Sequence, residues 1–409
     1  MKLLTFTTLF PNADKPTHAI FVETRLRHLV ASGEVVSRVV APVPWFPSTD
    51  ARFGRYAGYA RIPATEKRSG LTVDHPRYLS IPKIGMNAAP WLMARAARNS
   101  VARLLDEGYD FDLIDAHYFY PDGVAAALLG KYFNKPVVIT ARGSDISLIP
   151  RHAIPRRQIL WAARRASAII TVCNALKDEL VALGVAPEKI TPLRNGVDLQ
   201  RFQLVDGTQR ALLRAELGLS ADRYTLLSAG HLVPVKGHDL VIGAMPMLVD
   251  MQLLIAGAGV ERVRLERLAQ TLGVADRVRF LGALPQEQLA RTYAAVDALV
   301  LASSREGWAN VLLEAMACGT PVVASRVWGT PEVVASPDAG LLMQARSARG
   351  VADAVNALRT ASPERGATRR YAERFSWDDT TAGQLRLFRA ILQVPGSRPM
   401  GNEGLISNV

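Results

Sequence analysis

Short runs rich in Val, Ile and Leu recur along this chain with helix-like stretches between them, and no other feature narrows the fold as much. In the first half the runs are Lys2–Thr8, Val35–Ala41, Leu71–Tyr78, Phe111–Ala116, Pro136–Thr140, Ala168–Val172 and Ile190–Leu193. Helical patterns fill about Ala19–Ala31, Ala88–Asp106, Gly123–Phe133, Pro155–Ala166 and Asn174–Leu183. A second alternation starts at Tyr224–Ala229, passes through Gln252–Ala256, Val278–Leu281 and Ala298–Leu301, and ends near Leu341 and Leu342; after Arg349 only helical patterns follow. Strands alternating with helices predict parallel sheets covered by helices, so the fold class is α/β.

A chain of 409 residues has room for two domains, each with its own core. The turn at Asn195-Gly196 closes the first, giving residues 1–198, and the linker Leu199–Gly207 opens the second, residues 199–374. A terminal helix is expected over residues 375–392, opened by Phe375-Ser376-Trp377-Asp378, and residues 393–409, polar with Pro and Gly, read as a disordered tail. Pro42–Gly70 carries Trp45, Phe46, Arg52, Phe53, Arg55, Tyr56, Tyr59 and Arg61 and reads as a long loop or irregular insertion, either functional or packed by its own aromatics.

No run approaches the ~20 apolar residues of a membrane-spanning helix. Lys2–Phe10 is followed at once by Pro11, Asn12 and Asp14 and reads as a buried strand, not a secretion signal. Cys173 and Cys318 both sit in apolar runs, so no disulfide framework is implied and a cytoplasmic setting is expected. The net charge of +12 is uneven: residues 1–200 hold 26 Lys and Arg against 17 Asp and Glu, and the remainder 23 against 20. A basic half attracts phosphorylated substrates or an anionic membrane, or is simply a solvated surface. Nucleic acid is not expected, because the cations are scattered over many elements and no recognition module is visible.

Two carboxylates stand eight residues apart in the stretch Ser303–Ala324, Glu306 in a loop after a strand and Glu314 about two turns into a helix. Asn310 is expected to cap that helix, and Gly319 and Pro321 stop it. Loops leaving the carboxyl ends of parallel strands line a ligand crevice, and free amides at a helix start bind anions. The stretch resembles the Glu-x7-Glu signature of family 4 of the GT-B class, retaining nucleotide-sugar glycosyltransferases with two Rossmann-like domains, with Ala309 where Pro is common. The resemblance implies that the parallel sheets face across a cleft and that the terminal helix crosses back to the first domain.

Further residues join that resemblance. Gly230-His231-Leu232 followed by Lys236-Gly237 is similar to the family's Gly-Arg-Leu-x3-Lys-Gly segment, with His231 for Arg, and a lysine point charge beside a helix start suits a diphosphate. Gly257 and Gly259 fit the donor-domain glycine loop, and the backbone around Leu281 is where the base is implied to lie. Gly307, Asn310, Val311 and Leu312 complete the donor site, with Glu306 on sugar hydroxyls and Glu314 on the ribose. In the first half, His117 at a strand end is implied to sit near the donor; Arg142 and Asp145 match a His-Gly-x-Asp turn, and Arg194 and Asn195 border the cleft. The catalytic group is then His117, Lys236 and Glu306, with no metal or other cofactor expected.

The reading implied is a metal-independent hexosyltransferase that moves a sugar from a nucleotide-diphosphate sugar to a lipid-linked or polysaccharide acceptor. Its place is the cytoplasm, peripheral on the inner face of an anionic membrane. A nucleotide-sugar hydrolase or epimerase, or a non-catalytic nucleotide-sugar-binding protein, is the alternative.

Overall fold

The computed structural model describes residues 1–80, 85–220 and 222–393, and they form two compact units. One takes Met1–Thr171, Lys177–Leu193 and the described chain from Thr381; the other takes Val172–Leu176 and Arg194–Thr380. The tail expected from residue 393 onward lies, beyond Gln393 itself, outside the described residues. No helix among the described residues is long and apolar enough to cross a membrane.

The strands of the first unit are β1 (Lys2–Phe6), β2 (Val36–Val40), β3 (Val43–Pro44), β4 (Thr65–Arg68), β5 (Leu71–Asp74), β6 (Arg77–Tyr78), β7 (Leu113–His117), β8 (Val137–Ala141), β9 (Ala168–Thr171) and β10 (Ile190–Pro192). Its helices are α1 (Ile20–Ala31), α2 (Arg55–Arg61), α3 (Ala89–Asp106), α4 (Val124–Phe133), α5 (Ser144–Ser147), α6 (Ala153–Arg165) and, from Lys177 on, α7 (Asn174–Ala182). The sheet runs β10-β9-β8-β7-β1-β2-β5-β4. Every position of β7 and β8 is buried, as strands covered on both faces require. Only the edge strand β4 is antiparallel, to β5, which departs from the all-parallel expectation.

Two expectations need correction here. Leu71–Tyr78 is not one strand: it breaks at His75-Pro76, where proline has no amide to give, and β6 pairs with β3 in a separate ribbon. Buried His75 spans the break, Nδ1 to Ala41 O at 2.9 Å and Nε2 to Glu66 Oε1 at 2.8 Å. Nor is Pro42–Gly70 a loop throughout, since it holds β3, α2 and β4. Its aromatics stack on one another, Phe46 with Phe53 at 5.3 Å and with Tyr56 at 5.6 Å, and the Arg77 guanidinium donates to the Tyr59 and Ile62 carbonyls.

The second unit holds β11 (Tyr224–Ala229), β12 (Met251–Ala256), β13 (Val278–Gly282), β14 (Ala298–Leu301), β15 (Val322–Ser325) and β16 (Gly340–Met343), paired in parallel in the order β13-β12-β11-β14-β15-β16. Its helices are α8 (Gly207–Glu216), α9 (His238–Ala244), α10 (Arg262–Thr271), α11 (Gln286–Ala295), α12 (Asn310–Ala317), α13 (Thr330–Val333), α14 (Ala348–Ala361), α15 (Arg365–Glu373) and the start of α16 (Trp377–Gln393). In α14 the Ser347 hydroxyl caps the Gly350 amide at 3.0 Å, and Val351, Ala354, Val355 and Leu358 form the helical stripe that is buried. In both sheets the order reverses beside the first strand of the unit, at β1/β7 and at β11/β14. Such switch points splay the loops apart and are where open α/β sheets bind ligands.

From Thr381 on, α16 belongs to the first unit, where Leu385 and Phe388 join Leu3, Val22, Leu26 and Val39 in its core. Phe388 is fully buried, so Phe388→Ala removes a ring and leaves a cavity, which costs about 3–5 kcal/mol. Urea unfolding should show the loss in the transition of the first unit; a change below about 1 kcal/mol would show the site collapsing at little expense.

Candidate functional site

The switch point of the second sheet gathers most of the residues expected for a donor. The loop after β11 carries Gly230 to Gly237 and the loop after β14 carries Ser303 to Ala309. These loops touch main chain to main chain: the Ser304 amide donates to Val235 O at 2.8 Å, and a Cβ on Gly237 would strike the Ala302 carbonyl. Lys236 Nζ meets Glu306 Oε1 at 2.6 Å, and the Ser303 hydroxyl donates to the same oxygen at 2.6 Å. Ser303, buried and itself accepting from Ser325 Oγ at its carbonyl, was not legible as a site residue, since a serine after a strand has many uses.

The neighbouring loops are layered on this one. Gly230 N–H donates to Ala256 O at 2.9 Å, Leu232 N–H to Ala258 O at 3.0 Å, and Gly257 N–H to Gly282 O at 2.7 Å. Gly257, at φ 151°, has no room for a side chain, because a Cβ would overlap the Gly230 oxygen, and one on Gly259 would overlap Leu232 O. His231 is exposed on this loop. Its carbonyl accepts from buried His238 Nε2 at 3.3 Å, so the His238 proton lies on Nε2 and the Ser228 hydroxyl donates to Nδ1 at 2.9 Å. Burial lowers the His238 pKa and keeps that ring neutral. Leu281 lies half-buried beside Phe280, whose ring carries the Arg262 guanidinium at 5.4 Å.

At the start of α12 the structure corrects the expected cap. Ala309 holds the N-cap position and Asn310 is the first helical residue, its Oδ1 taken by Asn195 Nδ2 at 3.2 Å. Two of the amides expected to be open are in use, Asn310 to Trp308 O at 3.1 Å and Leu312 to Ala309 O at 3.0 Å, while Val311 lies between them. Gly307 presses its carbonyl against Gly329. Arg194, whose guanidinium lies over the Trp308 ring at 5.8 Å, reaches Glu332 Oε2 at 3.2 Å.

Glu314 accepts from the buried Tyr293 hydroxyl at 3.1 Å, and burial pushes its carboxyl up to about 7. The Tyr293 hydroxyl bond and the Arg201 charge oppose that shift without cancelling it. Tyr293 gave no sign of a site role, standing inside the apolar stripe of a helix.

The first unit presents its own switch point. Thr8, after β1, gives its amide and its hydroxyl to buried Asp122, after β7. His117 ends β7 but does not show an open ring, being 1% exposed. Arg142 Nη2 lies 2.8 Å from Nδ1, and a guanidinium only donates, so the imidazole proton is on Nε2, 3.3 Å from Asp115 Oδ2. Burial lowers the His117 pKa further than Asp115 raises it, and Arg142 adds to the lowering. The Arg142 guanidinium is therefore engaged with His117 and Phe21. Asp145 accepts from the amides of Phe119 at 2.6 Å, Gly143 at 2.7 Å and Arg142 at 3.1 Å, and so fixes the turn in place of reaching outward. The chain's one Asp-x-Asp triplet, Asp110-Phe111-Asp112, is likewise occupied: Asp110 pairs with Lys135 at 2.5 Å and Asp112 takes the Lys2 amide at 2.8 Å.

Two outcomes follow for the second unit. Gly257→Ala should lower its melting temperature and abolish any nucleotide protection, because the loop after β12 must leave the Gly230 loop; unchanged melting would show that the overlap relaxes freely. Glu314 has a folded pKa above its unfolded value, so the acid form favours folding and the unliganded chain loses stability as pH rises from about 4.5 to about 7. Glu314→Gln removes that loss: melted at pH 8 the variant should exceed the parent, with the gap closing toward pH 4.5, and a gap independent of pH would contradict the burial.

Residues 209–375 match the family described as glycosyl transferases group 1, and residues 26–201 match glycosyltransferase family 4. The chain is similar to the D-inositol 3-phosphate glycosyltransferase of Saccharomonospora viridis, 34% identical over 313 residues that cover 69% of this chain and 71% of that one. It is also similar to a relative named for teichuronic acid biosynthesis, TuaC of Bacillus subtilis, 28% identical over 87% of this chain and 88% of that one. Among solved structures, HepE of Anabaena in complex with UDP superposes with a TM-score of 0.71 at 21% identity, covering 95% of this chain and 100% of that one. The two reversed parallel sheets and these matches together make the chain a member of family 4 of the GT-B glycosyltransferases.

Proposed function

We propose that the chain transfers a hexose from a nucleotide-diphosphate sugar to a lipid-linked or polysaccharide acceptor with retention of configuration, and that it works as a peripheral protein at the cytoplasmic face of an anionic membrane. The observation that carries the reading is the Glu306 carboxylate held by Lys236 and Ser303 at a switch point, with Glu314 about one turn into α12. UDP in HepE and the teichuronic acid biosynthesis for which TuaC is named support a nucleotide-sugar donor and a glycan product.

On this reading Lys236 and Glu306 hold opposite charges ready as a pair. A diphosphate draws Lys236 away and leaves Glu306, still bonded to Ser303, to accept from sugar hydroxyls. Gly230, His231, Gly257 and Gly259 cradle the phosphates, the backbone at Leu281 meets the base, Gly307 to Leu312 approach the sugar and diphosphate, and Glu314 accepts from the ribose. As the bond from the anomeric carbon to the diphosphate oxygen breaks, charge grows on that oxygen, and Lys236 is placed to stabilise it. The acceptor oxygen attacks from the same face and its proton passes to the departing phosphate. His117, with both nitrogens engaged, acts as a positioning residue, and Arg142, Asp145, Arg194 and Asn195 hold loops. No metal is assigned: among the described residues no three His, Cys, Asp or Glu side chains are gathered as an ion requires.

Protection against thermal unfolding by UDP-, GDP- and ADP-sugars identifies the donor, and radiolabelled transfer to an acceptor separates a transferase from a hydrolase or epimerase. Glu314→Gln should weaken donor binding about 10- to 150-fold, the loss of charge-assisted bonds worth about 1.5–3 kcal/mol; equal affinity would remove Glu314 from the ribose. Transfer should persist in EDTA, and its loss with rescue by Mn²⁺ or Mg²⁺ would establish a metal site.

A further inference from the structure

On the helical side of the first unit, the start of α3, the end of α4 and the middle of α6 surround a cavity of about 720 Å³. Trp91, Tyr132 and Trp161 wall it, Val124 and Leu128 floor it, and Lys131 and Arg157 are its cations; no carboxylate lines it. The charge asymmetry extends well beyond the rim. Across α3, α4 and α6 stand eight cations, Arg95, Arg98, Arg103, Lys131, Arg156, Arg157, Arg164 and Arg165, all exposed, against the single acid Asp106. Only Arg103 of these reaches a carboxylate of another element, Asp74 at 3.3 Å, among the ion pairs of the described residues.

Exposed apolar groups share this face. Trp91 is 59% exposed and Tyr132 62%, and Met86 in the turn before α3 and Ile154 at the start of α6 are exposed too, the two segments held together by Gln158 Nε2 donating to Asn87 O at 2.9 Å. A face that is both cationic and studded with large apolar side chains suits the boundary of a bilayer, where Trp and Tyr rings settle at headgroup level and Lys and Arg meet anionic lipid. A soluble acidic glycan fits less well. The Arg98 guanidinium covers one face of Tyr132 and that of Arg165 one face of Trp161, both at 5.1 Å, which leaves fewer ring faces for a sugar to stack on, and Met86 and Ile154 have nothing to offer a sugar.

We propose that this cavity takes the phosphate head of an anionic phospholipid between Lys131 and Arg157, and that the α3–α4–α6 face is the surface by which the enzyme docks on a membrane. The inference deepens the reading of the acceptor as membrane-presented and rests on it for its purpose. The aromatic segment after Pro42 suits this role less, since Phe46, Phe53, Tyr56 and Tyr59 pack on one another.

Sedimentation with vesicles of phosphatidylglycerol and phosphatidylcholine, and of phosphatidylcholine alone, tests it on the full chain. Binding should require phosphatidylglycerol and fall with salt. Lys131→Gln with Arg157→Gln should lower the partition coefficient about 25-fold, two cations at about 1 kcal/mol each and about 1.4 kcal/mol per tenfold. Arg267→Gln with Arg349→Gln, exposed cations of the second unit, should change it less than about threefold. Trp91→Ala should reduce the binding that survives at high salt. Equal losses in the two double variants, or no binding to anionic vesicles at low salt, would overturn the proposal. So would protection of the parent, but not of the Lys131/Arg157 variant, by glycerol phosphate or an acidic oligosaccharide without vesicle binding. Thermal protection by nucleotide sugars is read separately: if it persists while vesicle binding fails, the docking face is wrong and the transferase reading stands, and if it fails while docking succeeds, the reverse holds.

Discussion

The donor-side geometry of the second unit depends on main-chain contact between loops that have no side chains to keep them apart. Gly257 lies against the Gly230 oxygen, Gly259 against Leu232 O, and Gly237 against Ala302 O. Three glycines in two loops let four strand ends close to hydrogen-bonding distance, with amide and carbonyl groups satisfied between loops, as buried backbone requires. Lys236 and Glu306 are then opposed at 2.6 Å because their main chains are already in register, at Ser304 N–H to Val235 O. The ion pair is a consequence of the backbone layer and contributes little to holding it, since a lysine side chain that is 23% exposed keeps part of its hydration.

The first unit uses the opposite device, a knot of buried charge. Arg25, Asp115, His117 and Arg142 are all buried, and two guanidiniums against one carboxylate is an unfavourable count unless other acceptors share them. The neutral His117 ring accepts from Arg142, and Arg25 is drawn off to Gln384 Oε1 at 2.8 Å and to the Leu193 carbonyl at 3.1 Å. Burial brings the Arg25 pKa down to about 10, which leaves it charged at neutral pH. Gln384 is on α16, so the last helix supplies a polar partner as well as Phe388, and the first unit is incomplete without residues nearly 400 positions away from its start.

Parallel sheets were legible because strands buried on both faces must be apolar throughout, and both carboxylates of Ser303–Ala324 were legible because strand, loop and helix signals fall in order around them. What the sequence could not display is which polar residues turn inward. His117 and Asp145 look like residues aimed at a ligand, and both are bound to neighbours whose proximity arises only when β7 and β8 pair. Asn310 looked like a cap because its type favours one, yet the chain enters α12 one residue earlier and Asn195 takes its oxygen. The ordered insertion within Pro42–Gly70 was hidden for a related reason: its Pro and Gly content hides α2, which is held by aromatic stacking and by Arg77 from outside.

Net charge was a poor guide to surface charge, and the arginines show why. In the second unit Arg365 donates to the carbonyls of Ala294, Val296 and Cys318, Arg369 to those of Leu199, Phe202 and Ala317, and Arg277 to those of Met245, Leu248 and Met251. Arg214 does the same for Ser220, Arg223 and Ala295. The fork of a guanidinium can satisfy several carbonyls at once where helices and strands end, and a lysine cannot. These cations are structural parts, tied to the backbone of their own unit. Those of α3, α4 and α6 project into solvent from helices that carry one acid between them. A modest sequence excess in the first half thus becomes a concentrated cationic face, because eight of its cations fall exposed on three helices that carry one acid.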